Sequence, residues 1–301
     1  MEDSEFYSNG KLLLTGEYVV LDGAIALAFP CKFGQSLNVK KNNAEKYTWT
    51  SYLKNGEVWQ KVTFTLDDVL KNRSQTDFEK RLFQILKVIY ELKPKIFNDT
   101  YDFWTKLDFE KDWGLGSSST LINNISQWAN IDAYKLLDRT FGGSGYDIAA
   151  ASMQSPFIYQ RIENKVFAES VKFSNELKPH LFFVYLNQKQ NSRDGIKKYR
   201  NNKVDKSKIN SISEITDAIK MTSNLVEFEN LLETHEKLIS ELIGLEPVHS
   251  KLFKDYKSGI VKSLGAWGGD FVLATAKDQS ELQYFTNRGF NIIFFYDEII
   301  L

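Results

Sequence analysis

The sequence of 301 residues has one cysteine, Cys31, and three histidines, His180, His235 and His249. A single thiol permits no intrachain disulfide and no thiolate zinc cluster. The scattered histidines outline neither a metal site nor a catalytic triad, and each reads as structural or surface. Proline is scarce, with 5 residues, so no proline-rich linker divides the chain. No stretch approaches the roughly 18 consecutive apolar residues that a transmembrane helix needs. Neither sign of charge dominates: 38 Lys and Arg face 39 Asp and Glu, for a net charge of −1. That balance gives no bulk attraction to nucleic acid or anionic lipid. The acidic start Met1-Glu2-Asp3-Ser4-Glu5 lacks the apolar core of a secretory signal. A cytoplasmic enzyme or binding protein is the expectation.

What is present is apolar material for a large core: 43% hydrophobic and 14% aromatic residues. Trp49, Trp59 and Trp104 read as core or sheet-face residues. Lys11 to Val20 is rich in Leu, Val, Thr and Tyr and predicts a strand, with a turn at Asp22-Gly23 and a return strand over Ala24 to Phe29. Phe33 to Lys40 and Trp59 to Leu66 alternate as half-buried strands do, and the short connections imply antiparallel pairing. Phe78, Leu82, Ile85, Leu86 and Ile89 recur at helical spacing, with Asp77 as cap and Pro94 beyond the end. A strand over Tyr101 to Phe109 follows. The pattern restarts beyond Arg161, which puts a domain boundary near residue 170. Leu181 to Leu186 predicts a buried strand, Gln188 to Lys208 a basic loop with a short helix, and Ile212 to Leu242 two helices. A further helix is expected near Val248 to Leu264. Asp270 to Thr275 and Asn291 to Tyr296 read as closing strands.

One loop carries chemistry. Gly114-Leu115-Gly116-Ser117-Ser118-Ser119 leads directly into a helix whose apolar face is Leu121, Ile122, Ile125 and Trp128. Glycine lets backbone approach a ligand closely. The first turn of the helix presents N–H groups that have no partner within the helix, and the helix dipole adds partial positive charge there. Such a terminus binds anions, phosphate above all. The same residues also fit a flexible loop before a serine-capped helix. The loop is neither a Walker A sequence nor a dinucleotide fingerprint.

Three segments together go further. Lys11-Leu12-Leu13-Leu14-Thr15-Gly16-Glu17-Tyr18-Val19-Val20-Leu21-Asp22-Gly23 resembles the first motif of the GHMP kinases. Gly114 to Ser119 resembles their second, the phosphate loop. Ser263-Leu264-Gly265-Ala266-Trp267-Gly268-Gly269-Asp270 resembles the third. Their order and separation span nearly the whole chain. Gly142-Gly143-Ser144-Gly145-Tyr146-Asp147-Ile148-Ala149 stands where the family carries its active-site aspartate, and Gly145 to Ala149 spells the run that names the GYDIA-type members. This segment, and the Gly-Gly-Asp ending at Asp270, are similar to phosphomevalonate kinases.

The resemblance implies an α+β, GHMP kinase-like two-domain fold: residues 1–170 like ribosomal protein S5 domain 2, residues 171–301 ferredoxin-like. It implies phosphorylation by ATP of a small molecule, phosphomevalonate or a related isoprenoid precursor. Mevalonate, a sugar or homoserine as acceptor, or an inactive nucleotide-binding relative, are the alternatives. Asp147 is implied as the base on the acceptor hydroxyl and Lys11 as its cationic partner. Gly114, Leu115, Gly116, Ser117, Ser118 and Ser119 are implied to bind the nucleotide, with Ser118 also on Mg²⁺. Gly145, Gly265, Gly268 and Gly269 are implied to line the substrate site. Neither nucleic acid nor membrane is an expected partner, and a homodimer is compatible with the family.

The sequence departs from the family twice. The glutamate that serves mevalonate kinases as second magnesium ligand falls near Leu136, where none is present; Asp138 is close but not aligned. Phosphomevalonate kinases lack that glutamate too. Trp267 interrupts the third glycine run, where a bulky indole is expected to narrow a pocket. A basic run of Lys189, Arg193, Lys197, Lys198 and Arg200 suits either an acceptor phosphate or a solvated loop.

Overall fold

The computed structural model describes residues 4–163, 165–190, 192–201 and 205–301. The chain forms two compact units whose segments interleave in sequence. One comprises the described residues of Met1–Gly10, with Phe33–Lys111 and Leu115–Ser152. The other comprises Lys11–Lys32, Asp112–Gly114 and the described residues of Met153–Leu301.

The first unit is built on β1 (Ser4–Leu13), β2 (Ala26–Asn42), β3 (Tyr47–Tyr52) and β4 (Val58–Phe64), followed by α1 (Leu66–Leu70), α2 (Asp77–Leu92), β5 (Thr100–Leu107), α3 (Ser117–Ala129), α4 (Ala133–Thr140) and α5 (Tyr146–Ser152). β1 as far as Gly10 and β2 from Phe33 onward belong to it. The sheet runs β4-β3-β5-β2, with β1 beside β2. β3 pairs antiparallel with β4 but parallel with β5, from Thr48 opposite Asp102 onward. All-antiparallel pairing was the expectation; α1 and α2 lie between β4 and β5 and supply the crossover that a parallel neighbour requires. Leu37, Trp49 and Phe103 of the sheet pack with Leu82, Leu86 and Ile89 of α2, Ile122 and Ile125 of α3 and Ile148 of α5. Trp49 stacks on Phe103 at 5.1 Å. The cap of α2 is Thr76 rather than Asp77: its hydroxyl accepts the Glu79 N–H while the Glu79 carboxylate accepts the Thr76 N–H, a reciprocal box.

In the second unit the expected strand over Lys11 to Val20 ends at Leu13, and a short 3-10 turn occupies Val19–Asp22. The backbone cannot continue as a strand there, because Gly16 and Tyr18 take φ of 85° and 65°. The start of β2 pairs with β6 (Phe157–Ile162), and β6 with β7 (Lys165–Ser170). Then come β8 (Leu181–Tyr185), α6 (Ser192–Asn201), α7 (Lys206–Met221), α8 (Leu225–Ile243), α9 (Val248–Leu252), β9 (Val261–Ser263), β10 (Phe271–Thr275), α10 (Gln283–Thr286), β11 (Ile293–Phe295) and α11 (Tyr296–Ile299). The helix expected over Val248 to Leu264 is the single turn α9. These last four strands form an antiparallel sheet in the order β11-β8-β10-β9. Counted from β8, that is 4-1-3-2 with helices in the crossovers, the ferredoxin-like arrangement. Among the described residues no helix is long and apolar enough to cross a membrane.

Candidate functional site

In the first unit the glycine-serine loop opens α3. Gly116 caps the helix with φ 94° and ψ 41°, a left-handed conformation that disfavours a side chain, and no side chain bonds the first-turn N–H groups. A helix of 13 residues therefore begins with open donors. The Ser119 hydroxyl donates to the Gly116 carbonyl at 2.8 Å, so it closes the turn, whereas Ser118 is exposed. Gly10 fixes how near β1 comes: a Cβ there would meet the Leu115 carbonyl oxygen at 2.9 Å and that of Phe33 at 2.8 Å.

A buried polar network that the sequence reading missed clamps α3 to the sheet. The Ser8 hydroxyl donates to Asn124 Oδ1 at 2.7 Å and accepts from Asn123 Nδ2 at 2.9 Å. Asn124 Nδ2 donates to the Gln35 carbonyl at 2.8 Å, and the Thr120 hydroxyl to Gln35 Oε1 at 2.8 Å. The signal available in the sequence was the pair Asn123-Asn124 between the apolar positions Ile122 and Ile125. Two amides inside an apolar stripe need buried partners.

Asp147 is the second residue of α5 and is half-buried. Its Oδ1 accepts the Ile148 N–H at 3.1 Å. Gly145, at φ 83°, turns the chain into this helix, and its carbonyl accepts from Ile148 and Ala149. A carboxylate in a first turn is favoured by the helix dipole.

In the second unit, residues of all three glycine motifs converge. The Lys11 ammonium donates to the Gly114 carbonyl at 2.8 Å. Gly114 has φ +68°, and a Cβ on it would lie 2.2 Å from the Asp270 carboxylate. Asp270 itself has a positive φ of 55°. Its N–H donates to the Gln188 carbonyl at 2.6 Å, and its Oδ1 accepts the Gln190 N–H at 3.1 Å. Burial raises the Asp270 pKa above its ordinary value, and the Gln190 N–H and the charge on Lys11 offset part of that. A lysine, the first glycine of the phosphate loop and a desolvated carboxylate thus share one corner.

The third motif continues past this corner. A Cβ on Gly269 would meet the Gln188 carbonyl oxygen at 2.7 Å, whereas one on Gly265 would meet nothing within 4 Å. The Trp267 indole narrows no pocket. It is 1% exposed and packs with Tyr18, Val19, Tyr199, Ile212 and Ile239. The Tyr18 hydroxyl donates to the Ala266 carbonyl at 2.7 Å. Trp267 accordingly anchors the glycine loop to the Val19–Asp22 turn and the helices beside it.

No protein-family model matches the sequence, and no curated protein matches it. Solved structures do. The mevalonate kinase of Methanococcus jannaschii aligns with a TM-score of 0.68 at 16% identity, covering 97% of this chain and 97% of that one. The Streptococcus pneumoniae phosphomevalonate kinase, solved with phosphomevalonate and AMPPNP, aligns at 0.70 and 16%, covering 95% of each. The Lactococcus lactis galactokinase, solved with galactose, aligns at 0.69 and 12%, covering 97% of this chain and 92% of that one. The chain has the GHMP kinase fold.

Two features of this GHMP kinase fold bear on ligands. Leu136, near which the resemblance would put a magnesium-binding glutamate, is fully buried in the first unit's core, and Asp138 is exposed. Among the described residues no group of three or more His, Cys, Asp or Glu side chains could hold a metal. Magnesium needs no such cage when phosphates supply its oxygens, so the exposed Ser118 hydroxyl beside open N–H donors is a fitting donor set for a magnesium–nucleotide. Of the basic run, Lys189 pairs with Asp112 at 3.1 Å and Arg200 with Asp22 at 3.3 Å. Lys197 and Lys198 are exposed on α6, and the Arg193 side chain falls outside the described residues.

Proposed function

We propose that this chain is an ATP-dependent small-molecule kinase whose acceptor is phosphomevalonate or a related isoprenoid phosphate. The observation that carries the reading is the convergence of Lys11, Gly114 and Asp270 from three separate motifs. The full-length likeness to three small-molecule kinases supports it. So does the open helix terminus after Gly116, which suits the phosphates of a nucleotide.

In the proposed reaction an acceptor oxygen, a phosphate oxygen on phosphomevalonate or a hydroxyl oxygen on an unphosphorylated acceptor, attacks the γ-phosphorus. The bond from that phosphorus to the β–γ bridging oxygen breaks, and ADP leaves. Where that oxygen carries a proton, the proton passes to the Asp147 carboxylate. Lys11 neutralises charge on the transferred group, and N–H groups of Gly114 to Ser119 hold the phosphates that do not react. Ser118 would help to hold a magnesium ion brought with the nucleotide, and that ion would supply further charge neutralisation. Gly145, Gly265, Gly268 and Gly269 line the acceptor site, Gly269 through its backbone, since the Gln188 carbonyl already fills the space where its side chain would be.

A second reading, an unphosphorylated acceptor such as mevalonate or a sugar, draws support from one observation. Lys189 and Arg200, two of the five basic residues offered for an acceptor phosphate, already face Asp112 and Asp22. The test is ATP consumption measured across phosphomevalonate, mevalonate, homoserine and galactose. Turnover with phosphomevalonate alone supports the first reading, and turnover with an unphosphorylated acceptor alone supports the second.

A further inference from the structure

Beneath the first and third glycine motifs of the second unit lies a buried cluster that the proposed chemistry does not use. Glu17 and His235 are 0% exposed, Lys262 1% and Glu236 5%. The Lys262 ammonium donates to Glu17 Oε1 at 2.5 Å and to the Ser263 carbonyl at 2.8 Å, and lies 3.7 Å from Glu236 Oε2. His235 Nε2 accepts the Gly16 N–H at 2.9 Å and stands 3.4 Å from Glu17 Oε2. Glu236 Oε1 accepts the Ser263 N–H at 3.1 Å. Two consecutive residues of α8 therefore each hold one backbone N–H: His235 that of the first motif, Glu236 that of the third.

The cluster is a poor source of stability. Two carboxylates share one ammonium, and desolvating charges costs more than a well-packed apolar replacement would. Glu17 Oε2, His235 Nδ1, Glu236 Oε2 and the Ser263 hydroxyl are buried with no hydrogen-bond partner among the described residues. Burial lowers the His235 pKa well below its ordinary value, so the ring is neutral and its Nε2 lone pair is free to accept. What the arrangement does provide is a fixed distance. One rigid helix sets the separation between Gly16, where the chain turns with φ +85°, and Ser263, two residues before Gly265.

We propose that His235 and Glu236 are positioning residues for phosphoryl transfer, acting through the Gly16 and Ser263 N–H groups to hold the first and third glycine segments in register. The proposal rests on the kinase reading for its kinetic consequence but not for its structural one. Misplacement of reacting groups by about 1 Å lowers rates by about 10²-fold, so loss of either strut lowers kcat/KM by about 10- to 100-fold.

The experiment compares wild type with His235→Leu, His235→Asn, His235→Gln, Glu236→Leu and Glu236→Gln. The Gln amide oxygen at 235 reaches where Nε2 accepts, whereas that of Asn reaches only as far as Nδ1. Amide hydrogen exchange is followed at Gly16 and Ser263 without ligand, with exchange of β8 as the check on folding. Steady-state kinetics use ATP and the acceptor that wild type phosphorylates. The Leu and Asn variants at 235 should exchange Gly16 at least about tenfold faster and lose kcat/KM as stated. Gln should restore both to within about threefold. At 236, Leu should release Ser263 and Gln restore it. Should a Leu variant fail to fold, the Asn–Gln contrast at 235 still decides. Wild-type exchange at Gly16 in the Asn variant overturns the strut, and released exchange with wild-type kcat/KM overturns the positioning role. If wild type phosphorylates no acceptor, the kinase reading falls, and with it the positioning role, while exchange still reports on the strut.

Discussion

Gly114 and Asp270 are so close that a Cβ on the glycine would lie 2.2 Å from the aspartate carboxylate. Phosphate loops tolerate no side chain where ligand and backbone meet, but here the obstruction comes from the protein's own third motif. Gly114→Ala should therefore be damaging even without ligand, because φ is +68° and the carboxylate must move. Melting temperature should fall, and Asp270→Ala should recover part of that fall in the double variant. Additive losses in the double-mutant cycle would show that the backbone conformation alone is responsible.

Gly116 makes a separate prediction. Its φ of 94° lies in the left-handed region, and it caps the helix that offers the open N–H donors. Gly116→Val should weaken ATP binding by at least about tenfold, measured by calorimetry, since β-branched residues are genuine outliers at positive φ. Unchanged affinity would remove this helix terminus from the nucleotide site.

Trp267 offers a test in which restoring a family pattern should do harm. Trp267→Gly would complete the glycine run and relieve a φ of 54°. It would also empty a site packed by Tyr18, Val19, Tyr199, Ile212 and Ile239. Removing a buried large aromatic costs about 3–5 kcal/mol, and relief of the strained backbone returns about 1–3 kcal/mol. Denaturant unfolding should show net destabilisation. A variant as stable as wild type would mean that the indole contributes no net packing energy.

These cases show what could be read in advance. The three glycine motifs, the closing strands and the helix after Ser117 are local patterns, and local patterns are legible; the ferredoxin-like order of the strands came only with the family resemblance. The turn at Val19–Asp22 was not, because Leu14 to Val20 is β-rich by composition while the positive φ values of Gly16 and Tyr18 are set by tertiary contacts, among them the Tyr18 hydroxyl on the Ala266 carbonyl. Trp267 was misjudged for the same reason: its side chain turns into a cluster assembled from α6, α7 and α8. The roles of Ser8 and His235 depend on partners 116 and 219 residues away, and nothing in a single sequence reports such pairs.

Glu17 predicts a pH dependence of stability. Burial is the main cause raising its pKa from 4.5 to about 7, with Lys262 opposing. A carboxyl raised in the folded state contributes fully below pH 4.5, where both states are protonated. As pH rises toward 7 the unfolded chain ionises first, and folding is progressively disfavoured, by about 1.4 kcal/mol per pKa unit. Glu17→Gln removes this term. Melting temperatures of variant minus wild type should shift in the variant's favour between pH 4.5 and 7.5. Parallel curves would show that Glu17 stays ionised throughout, held by Lys262.

The central claim is phosphoryl transfer from ATP, with Asp147 taking the acceptor's proton. The most direct measurement is single-turnover transfer of γ-labelled phosphate to each acceptor, run in parallel on wild type and Asp147→Asn, with nucleotide affinity measured on both. Wild type should label one acceptor, and the Asn variant should lose about 10²–10⁴-fold in rate while binding ATP as wild type does. Full-rate labelling by Asp147→Asn, or no labelled acceptor from wild type that binds ATP, would contradict the account.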